Sequence, residues 1–123
     1  MANYAGEPQT AKINYEYDLC PINQRYLSRK FILSKRYREA KEKIAWVCKS
    51  QYRGEMIEGE ISVDLVISYP RKIDIDSMVK VILDSMQGII FKNDSQIFKL
   101  AIWKRKGECG FKADIQQMPY TIS

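Results

Sequence analysis

Two consecutive segments decide the fold: Ile61-Ser-Val-Asp-Leu-Val-Ile-Ser-Tyr69, which Pro70 follows, and Asp76-Ser-Met-Val-Lys-Val-Ile-Leu-Asp-Ser-Met-Gln-Gly88. In the first segment every second side chain is a large apolar one, which predicts a β-strand over residues 60–69 that the proline ends. In the second segment apolar side chains recur at helical spacing, with Gly88 as a natural stop. We therefore expect a strand followed by a helix, with Asp76 or Ser77 as the helix cap.

The same periodicities extend in both directions along the chain. Alternation predicts strands over Ala11–Asp18, Ile97–Arg105 and Phe111–Gln116, and a helix is expected from the cap Ser34 to about Ser50. Gly107 and Gly110 mark a turn between the last two strands, which suggests an antiparallel hairpin. The order β-α-β-α-β-β predicts an α+β fold of two layers, a mixed sheet with helices mainly on one face.

The length of 123 residues fits one domain, which we expect over residues 11–123 after a flexible N-terminal tail of residues 1–10. No apolar run approaches the roughly 20 residues that a membrane span needs. The N-terminus lacks the basic and apolar regions of a signal peptide. Three widely spaced cysteines (Cys20, Cys48 and Cys109) fit a reducing cytoplasm, and Cys48 is expected in the core.

The chain contains no histidine and no Cys-x-x-Cys pair. This composition excludes the usual zinc sites and catalysis by Ser-His-Asp or Cys-His groups. It leaves carboxylates, lysines and arginines to carry any chemistry.

The net charge of +5 is unevenly distributed. Residues 21–43 hold eight basic and two acidic side chains, which gives +6, and a second basic group lies between residues 99 and 106. Two such clusters favour a polyanionic partner, with nucleic acid ahead of membrane. Trp46 on the predicted helix could stack on a base, but we expect it to pack against the protein.

Carboxylates nevertheless gather at one place in this basic chain. Asp74 and Asp76 stand two residues apart, so in an extended segment both would point the same way. Asp94 lies in a turn 18 residues after Asp76, and it joins them if the turn returns near the start of the helix. Three such oxygen ligands suit Mg²⁺ or Mn²⁺. Lys80, one turn into the helix, would then reach a phosphate or leaving oxygen.

Each of these residues also has an ordinary structural explanation. Asp76 could cap the helix, Lys80 could form an i,i+4 salt bridge with it, and Asp94 could be a turn residue. Asp84, on the same side of the helix, is expected to be a solvated helix residue. No single structural account covers all four positions of the candidate site.

The segment from about Arg71 to Leu100 resembles the RusA-type Holliday junction resolvases. It has their Asp-x-Asp entering a helix, a lysine four residues after the second Asp, and a Lys-x-Asp-x-Gln-Ile turn. The resemblance implies a homodimer, often phage- or prophage-encoded in a bacterial host, that cuts four-way DNA junctions with Mg²⁺. It carries the metal ligands to Asp74, Asp76 and Asp94 and the catalytic lysine to Lys80.

Basic side chains near this segment are the candidates for contacts with backbone phosphates. They are Arg25, Arg29, Lys30, Lys35, Arg36, Arg71, Lys72, Lys104, Arg105 and Lys106. 

Two positions depart from the family pattern, because Ser77 replaces its common Asn and Asn93 replaces the first of two acids. The second departure keeps open a junction-binding protein with weak or lost cleavage. A haloacid-dehalogenase-type phosphatase is disfavoured, because Arg71-Lys72 precedes the acidic motif and Ser77 stands where that motif needs glycine.

Overall fold

The computed structural model describes residues 8–19, 35–72 and 75–118, with only the backbone of Ser77. Its elements are β1 (Thr10–Tyr15), α1 (Lys35–Gln51), β2 (Ile61–Tyr69), α2 (Asp76–Met86), β3 (Ile97–Lys106) and β4 (Gly110–Gln117). A short 3-10 helix, Asp94–Gln96, precedes β3. The predicted element order and α+β class are confirmed.

The four strands form one mixed sheet in the order β1-β4-β2-β3. β2 pairs parallel to β3, whereas β4 pairs antiparallel to both β1 and β2. Because α2 connects two parallel neighbours, it runs back against the strand direction. Its first residue therefore follows the C-terminal end of β2, and its last residue lies towards the N-terminal end of β3.

The predicted hairpin between the last two strands is wrong, because β2 lies between them. The parallel crossover through α2 places β3 on one side of β2, and β4 fills the other. Their short connection crosses the end of β2, where the Gly107 N–H donates to the Tyr69 carbonyl at 3.0 Å. At Gly110 the backbone has φ +157°, and an added Cβ would lie 2.3 Å from the Tyr15 carbonyl oxygen. Glycine is therefore required where this connection enters β4.

The core lies between the sheet and the two helices. β2 alternates buried and half-buried side chains along its whole length, and Ile61, Val63, Leu65 and Ile67 are fully buried. α1 contributes Ile44 and Cys48, and the burial of Cys48 was predicted. Each fully buried aliphatic side chain stabilises the fold by about 1.5–3 kcal/mol through the hydrophobic effect. This packing fixes the position of α2, which carries part of the candidate site.

Two aromatic side chains differ from expectation. Trp46 is 68% exposed on α1, so the prediction that it packs against the protein is wrong. The first strand ends at Tyr15, and Tyr17 beyond it is half exposed. The Tyr15 hydroxyl donates to the Asp18 carbonyl at 2.9 Å, just after the strand ends. No helix within the described part of the chain is both long and apolar enough to cross a membrane.

Candidate metal and DNA site

Asp76 is the first residue of α2, and its side chain is exposed. Ile75 occupies the cap position with helical dihedrals (φ −54°, ψ −51°) and no side-chain cap hydrogen bond. The expected caps, Asp76 or Ser77, are therefore wrong, and so is the extended geometry at Ile75. The Asp76 carboxylate lies in the first turn, where the helix dipole favours negative charge. Ile75, and not Asp76, therefore stands at the cap position of α2.

Asp94 begins the short 3-10 helix before β3, and its side chain is also exposed. A capping box holds this turn: Asn93 Oδ1 accepts from the Ser95 N–H at 2.9 Å, and Gln96 Oε1 accepts from the Asn93 N–H at 3.0 Å. The Gln96 amide also donates to the carbonyls of Ile57 and Gly59, both at 2.9 Å. Asn93 is therefore a structural cap that fixes the backbone of Asp94.

Gln87, the residue just after α2, takes part in the site although the sequence analysis missed it. Its Oε1 accepts from the Asp94 N–H at 3.2 Å, and its Nε2 donates to Asp84 Oδ1 at 3.4 Å. The turn that carries Asp94 is thus attached to the C-terminal end of α2. A glutamine beside a helix stop gave no sequence signal for this contact.

The backbones of Asp76 and Asp94 consequently lie at opposite ends of α2. The ten residue steps from Asp76 to Met86 span about 15 Å at 1.5 Å per residue. The expected return of the turn to the helix start is therefore absent within one chain. In the described segments, no three acidic or cysteine side chains are close enough to hold a metal ion together. Neither carboxylate forms a salt bridge with another described residue.

Lys80 lies between the two acids along α2 and pairs with Asp84. Its Nζ is 3.0 Å from Asp84 Oδ2, one helical turn further on. The alternative pairing with Asp76 is not formed. Asp84 is only 19% exposed, so it is less solvated than its sequence position suggested. Because Lys80 itself is 46% exposed, its amine remains accessible from solvent.

Two basic candidates on α1 already have acidic partners. Arg36 donates to both carboxylate oxygens of Asp18, with a shortest distance of 2.9 Å. Lys35 pairs with Glu39 at 3.8 Å, and both side chains are strongly exposed. Lys35 can exchange its partner for a phosphate more easily than Arg36, because exposed single pairs contribute little free energy.

The other described candidates cluster where β2 and β3 end. Arg71 and Lys72 follow β2, and Lys104, Arg105 and Lys106 close β3, with all five side chains exposed. Arg71 donates to the Tyr69 hydroxyl at 3.3 Å, and Arg105 donates to Ser68 Oγ at 2.9 Å. Because α2 starts at the same end of the sheet, these cations and Asp76 share one surface. Asp74, Arg25, Arg29 and Lys30 lie outside the described residues.

Cys48 is fully buried, and this burial raises the pKa of its thiol to about 12. The reactive form of a cysteine is the thiolate, which this environment disfavours. Cys48 is therefore a core residue, as predicted. The described residues of the candidate site carry carboxylates and amines, at Asp76, Asp94 and Lys80.

Comparison with known proteins identifies the family of this chain. The family model of Endodeoxyribonuclease RusA matches residues 19–116, which is most of the chain. Over 71 residues the chain is 42% identical to the crossover junction endodeoxyribonuclease RusA of Aquifex aeolicus (strain VF5). That alignment covers 53% of this chain and 56% of the relative, so it spans about half the length of each. The chain belongs to the RusA endodeoxyribonuclease family.

Proposed function

We propose that this protein is a Mg²⁺-dependent endonuclease that resolves four-way DNA junctions by paired phosphodiester cleavage. The observation that carries the proposal is a pair of exposed carboxylates, Asp76 and Asp94, without a salt bridge to another described residue in a chain of net charge +5. An uncompensated acid beside a basic surface, as Asp76 is, serves a purpose if a cation joins it to a phosphate. Membership of the RusA family supports the same chemistry.

In this proposal Asp74, Asp76 and Asp94 are the metal ligands. Because Asp76 and Asp94 lie at opposite ends of α2 within one chain, the proposed homodimer is needed to bring such acids together. Their oxygen donors match the preference of Mg²⁺, and Mn²⁺ would also be accepted. When bound, the metal supplies positive charge against the phosphodiester and lowers the barrier to hydrolysis. Asp76 contributes an exposed carboxylate in the first turn of α2.

Lys80 is the proposed partner of the scissile phosphate. Its ammonium stabilises the charge that develops on the phosphate or on the leaving 3′-oxygen. To reach the phosphate it must leave Asp84, 3.0 Å away. An i,i+4 pair of this kind contributes only about 0.3–0.5 kcal/mol, so the exchange costs little. Asp84 then serves to hold the amine in place before DNA binds.

The basic surfaces are proposed to bind the DNA backbone. Arg71, Lys72 and the Lys104–Lys106 cluster lie at the Asp76 end of α2, where a bound phosphodiester would pass. Further basic residues are proposed to extend the contact area, on the basis of their positions in the sequence. They are Arg25, Arg29, Lys30, Lys35 and Arg36. A homodimer would present two sites to the near two-fold symmetric junction. The proposed location is the cytoplasm of a bacterial host, which fits the lone cysteines. A phage or prophage source of the gene is what the family resemblance implies.

A junction-binding protein without cleavage is not favoured. That alternative rested on Asn93, which replaces an acid of the family pattern. Because the Asn93 side chain caps the turn at 2.9 Å, its presence has a structural explanation.

The test is cleavage of an end-labelled synthetic four-way junction in Mg²⁺. We expect paired cuts by the wild type, loss of cutting in Asp76→Asn with junction binding retained, and full cutting in the control Glu42→Gln. Glu42 is an exposed acid on α1, outside the proposed site. Binding without cutting by the wild type in both Mg²⁺ and Mn²⁺ would support the alternative.

A further inference from the structure

Trp46 is a large aromatic side chain that the proposed function does not use. It is 68% exposed on α1, whereas Tyr37, Ile44 and Val47 on the other side of this helix are buried in the core. A single exposed apolar side chain is common on protein surfaces and needs no explanation by itself. The surroundings of Trp46 therefore decide whether its exposure has a function.

A cavity of about 210 Å³ lies beside Trp46, between α1 and the end of β1. It is lined by two aromatic residues, Trp46 and Tyr17, and by polar residues that include Asn14, Glu16 and Ser50. A cavity of about 150 Å³ is sufficient to hold a benzene ring. The cavity beside Trp46 therefore has room for one nucleobase. Amide and carboxylate groups such as those of Asn14 and Glu16 can form hydrogen bonds with the edges of bases.

Contacts between α1 and the strand side of this cavity hold its shape. Gln51, the last residue of α1, accepts through Oε1 from the Asn14 N–H at 2.7 Å and donates through Nε2 to the Asn14 carbonyl at 2.8 Å. The Lys43 Nζ lies 4.1 Å from the centroid of the Tyr17 ring, which is a cation–π contact between the helix and the segment after β1. Because these contacts are already formed, less ordering is required when a ligand binds.

The surface around the cavity is basic. α1 holds six basic and two acidic side chains, which gives +4. Lys43 and Lys49 lie three residues before and after Trp46, so they share its side of the helix. Both are exposed, and neither forms a salt bridge with another described residue.

This combination of groups favours nucleic acid as the occupant. Bases stack on exposed aromatic rings, while lysines beside them neutralise the phosphates. A second copy of the chain is disfavoured, because a two-fold contact through this surface would bring like charges together.

We propose that Trp46 and the cavity beside it form a stacking site for one unpaired base of single-stranded or branched DNA. Lys43 and Lys49 contact the phosphates that flank this base. The inference rests on the proposed function for its DNA partner, and it adds a base contact on α1, away from the proposed metal ligands. Bases in a continuous duplex are stacked on one another and are costly to extrude. The site therefore favours DNA in which pairing is interrupted over linear duplex.

The two tryptophans of the chain allow each to be observed alone. Trp103→Phe leaves Trp46 as the fluorescent residue, and Trp46→Phe leaves Trp103, which is 70% exposed on β3. Both proteins are titrated in EDTA with single-stranded oligothymidylate and with a blunt linear duplex. We expect the single strand to quench the emission of Trp46 but not that of Trp103, and the duplex to quench neither. Equal quenching of Trp46 by both DNAs, or no quenching of Trp46, would overturn the proposal.

The affinity for the single strand provides a second measurement. Trp46→Ala should bind oligothymidylate about 10-fold more weakly than wild type, because one stacked base is lost. Trp46→Phe should retain part of the affinity, and the comparably exposed control Trp103→Ala should bind as wild type. Wild-type affinity in Trp46→Ala would overturn the proposal. A change in its oligomeric state would also do so, by assigning the indole to a contact between copies of the chain.

Binding in EDTA separates this inference from the proposed function. A wild-type protein that binds single strands through Trp46 but never cuts junctions in Mg²⁺ or Mn²⁺ would contradict the proposed function alone. A wild-type protein that cuts junctions but does not bind oligothymidylate would overturn the stacking site alone.

Discussion

The backbone N–H of Asp94 donates to Oε1 of Gln87 over 3.2 Å, which attaches the acid-bearing turn to the end of α2. The Nε2 of the same Gln87 side chain donates to Asp84, which is the salt-bridge partner of Lys80. Gln87 therefore connects Asp94 with the Lys80–Asp84 salt bridge of the proposed site. In the proposed site, Gln87 would position the backbone of Asp94.

Replacing Gln87 by leucine should loosen this connection. We expect the free energy of unfolding to fall by about 1 kcal/mol, because two moderate hydrogen bonds are lost. The Mg²⁺ concentration for half-maximal cleavage should rise by about 10-fold, as for other groups that orient metal ligands. Mg²⁺ titration of cleavage measures this, with exposed Gln116→Leu as the matched control. An unchanged titration curve would remove Gln87 from the site.

Lys80→Met separates a catalytic role from a structural one. The salt bridge to Asp84 predicts a change in unfolding free energy of at most about 0.5 kcal/mol. Loss of charge stabilisation in the transition state predicts a fall in the single-turnover rate of about 100-fold or more. The matched control is Lys12→Met on β1. A rate within a few-fold of wild type would assign Lys80 to the salt bridge alone.

Two substitutions of Asn93 test separately its capping hydrogen bond and the effect of a negative charge at this position. Asn93→Ala should reduce the free energy of unfolding by about 0.5–2 kcal/mol, because the Ser95 N–H loses its acceptor. Asn93→Asp keeps the acceptor and adds a carboxylate beside Asp94. We expect it to retain stability and to lower the Mg²⁺ requirement for cleavage. Equal losses of stability in both variants would contradict the capping role.

Cys48 should make the fold less stable in alkali. Burial raises the pKa of its thiol from the ordinary value of 9.0 to about 12 in the folded protein. The folded state therefore keeps the thiol proton at pH values where the unfolded chain loses it. The stabilisation is fully present below pH 9 and is lost as the pH rises towards 12, by about 1.4 kcal/mol per pH unit. Tyr15, whose pKa is also raised to about 12, adds to the loss only above its ordinary value of 10.0. Urea unfolding between pH 9 and 10 should therefore show a shallower decline in Cys48→Ala than in wild type.

The local elements followed from sequence, but the strand order did not. Alternation in Ile61–Tyr69 and helical spacing after Asp76 are local properties, and both elements formed as predicted. Insertion of β4 between β1 and β2 depends on pairing between distant segments, which no local pattern encodes. Gly107 and Gly110 marked a real connection, yet they could not reveal that it crosses β2.

The same distinction holds for the site. Asp76 and Asp94 were recognisable by residue type, whereas their positions at opposite ends of α2 depended on the parallel crossover. The capping box of Asn93 and Gln96 was readable in the sequence as an amide pair three residues apart, but the resemblance drew attention to a missing acid instead. Gln87 required the folded turn, because its partner lies seven residues away.

The most direct measurement of the central claim is the initial rate of cutting of a labelled four-way junction by saturating wild-type protein, with Mg²⁺ and with EDTA. We predict symmetrically placed paired cuts in Mg²⁺, none in EDTA, and none on a linear duplex of the same sequence. An intact junction in Mg²⁺, or cutting that persists in EDTA, would contradict the account.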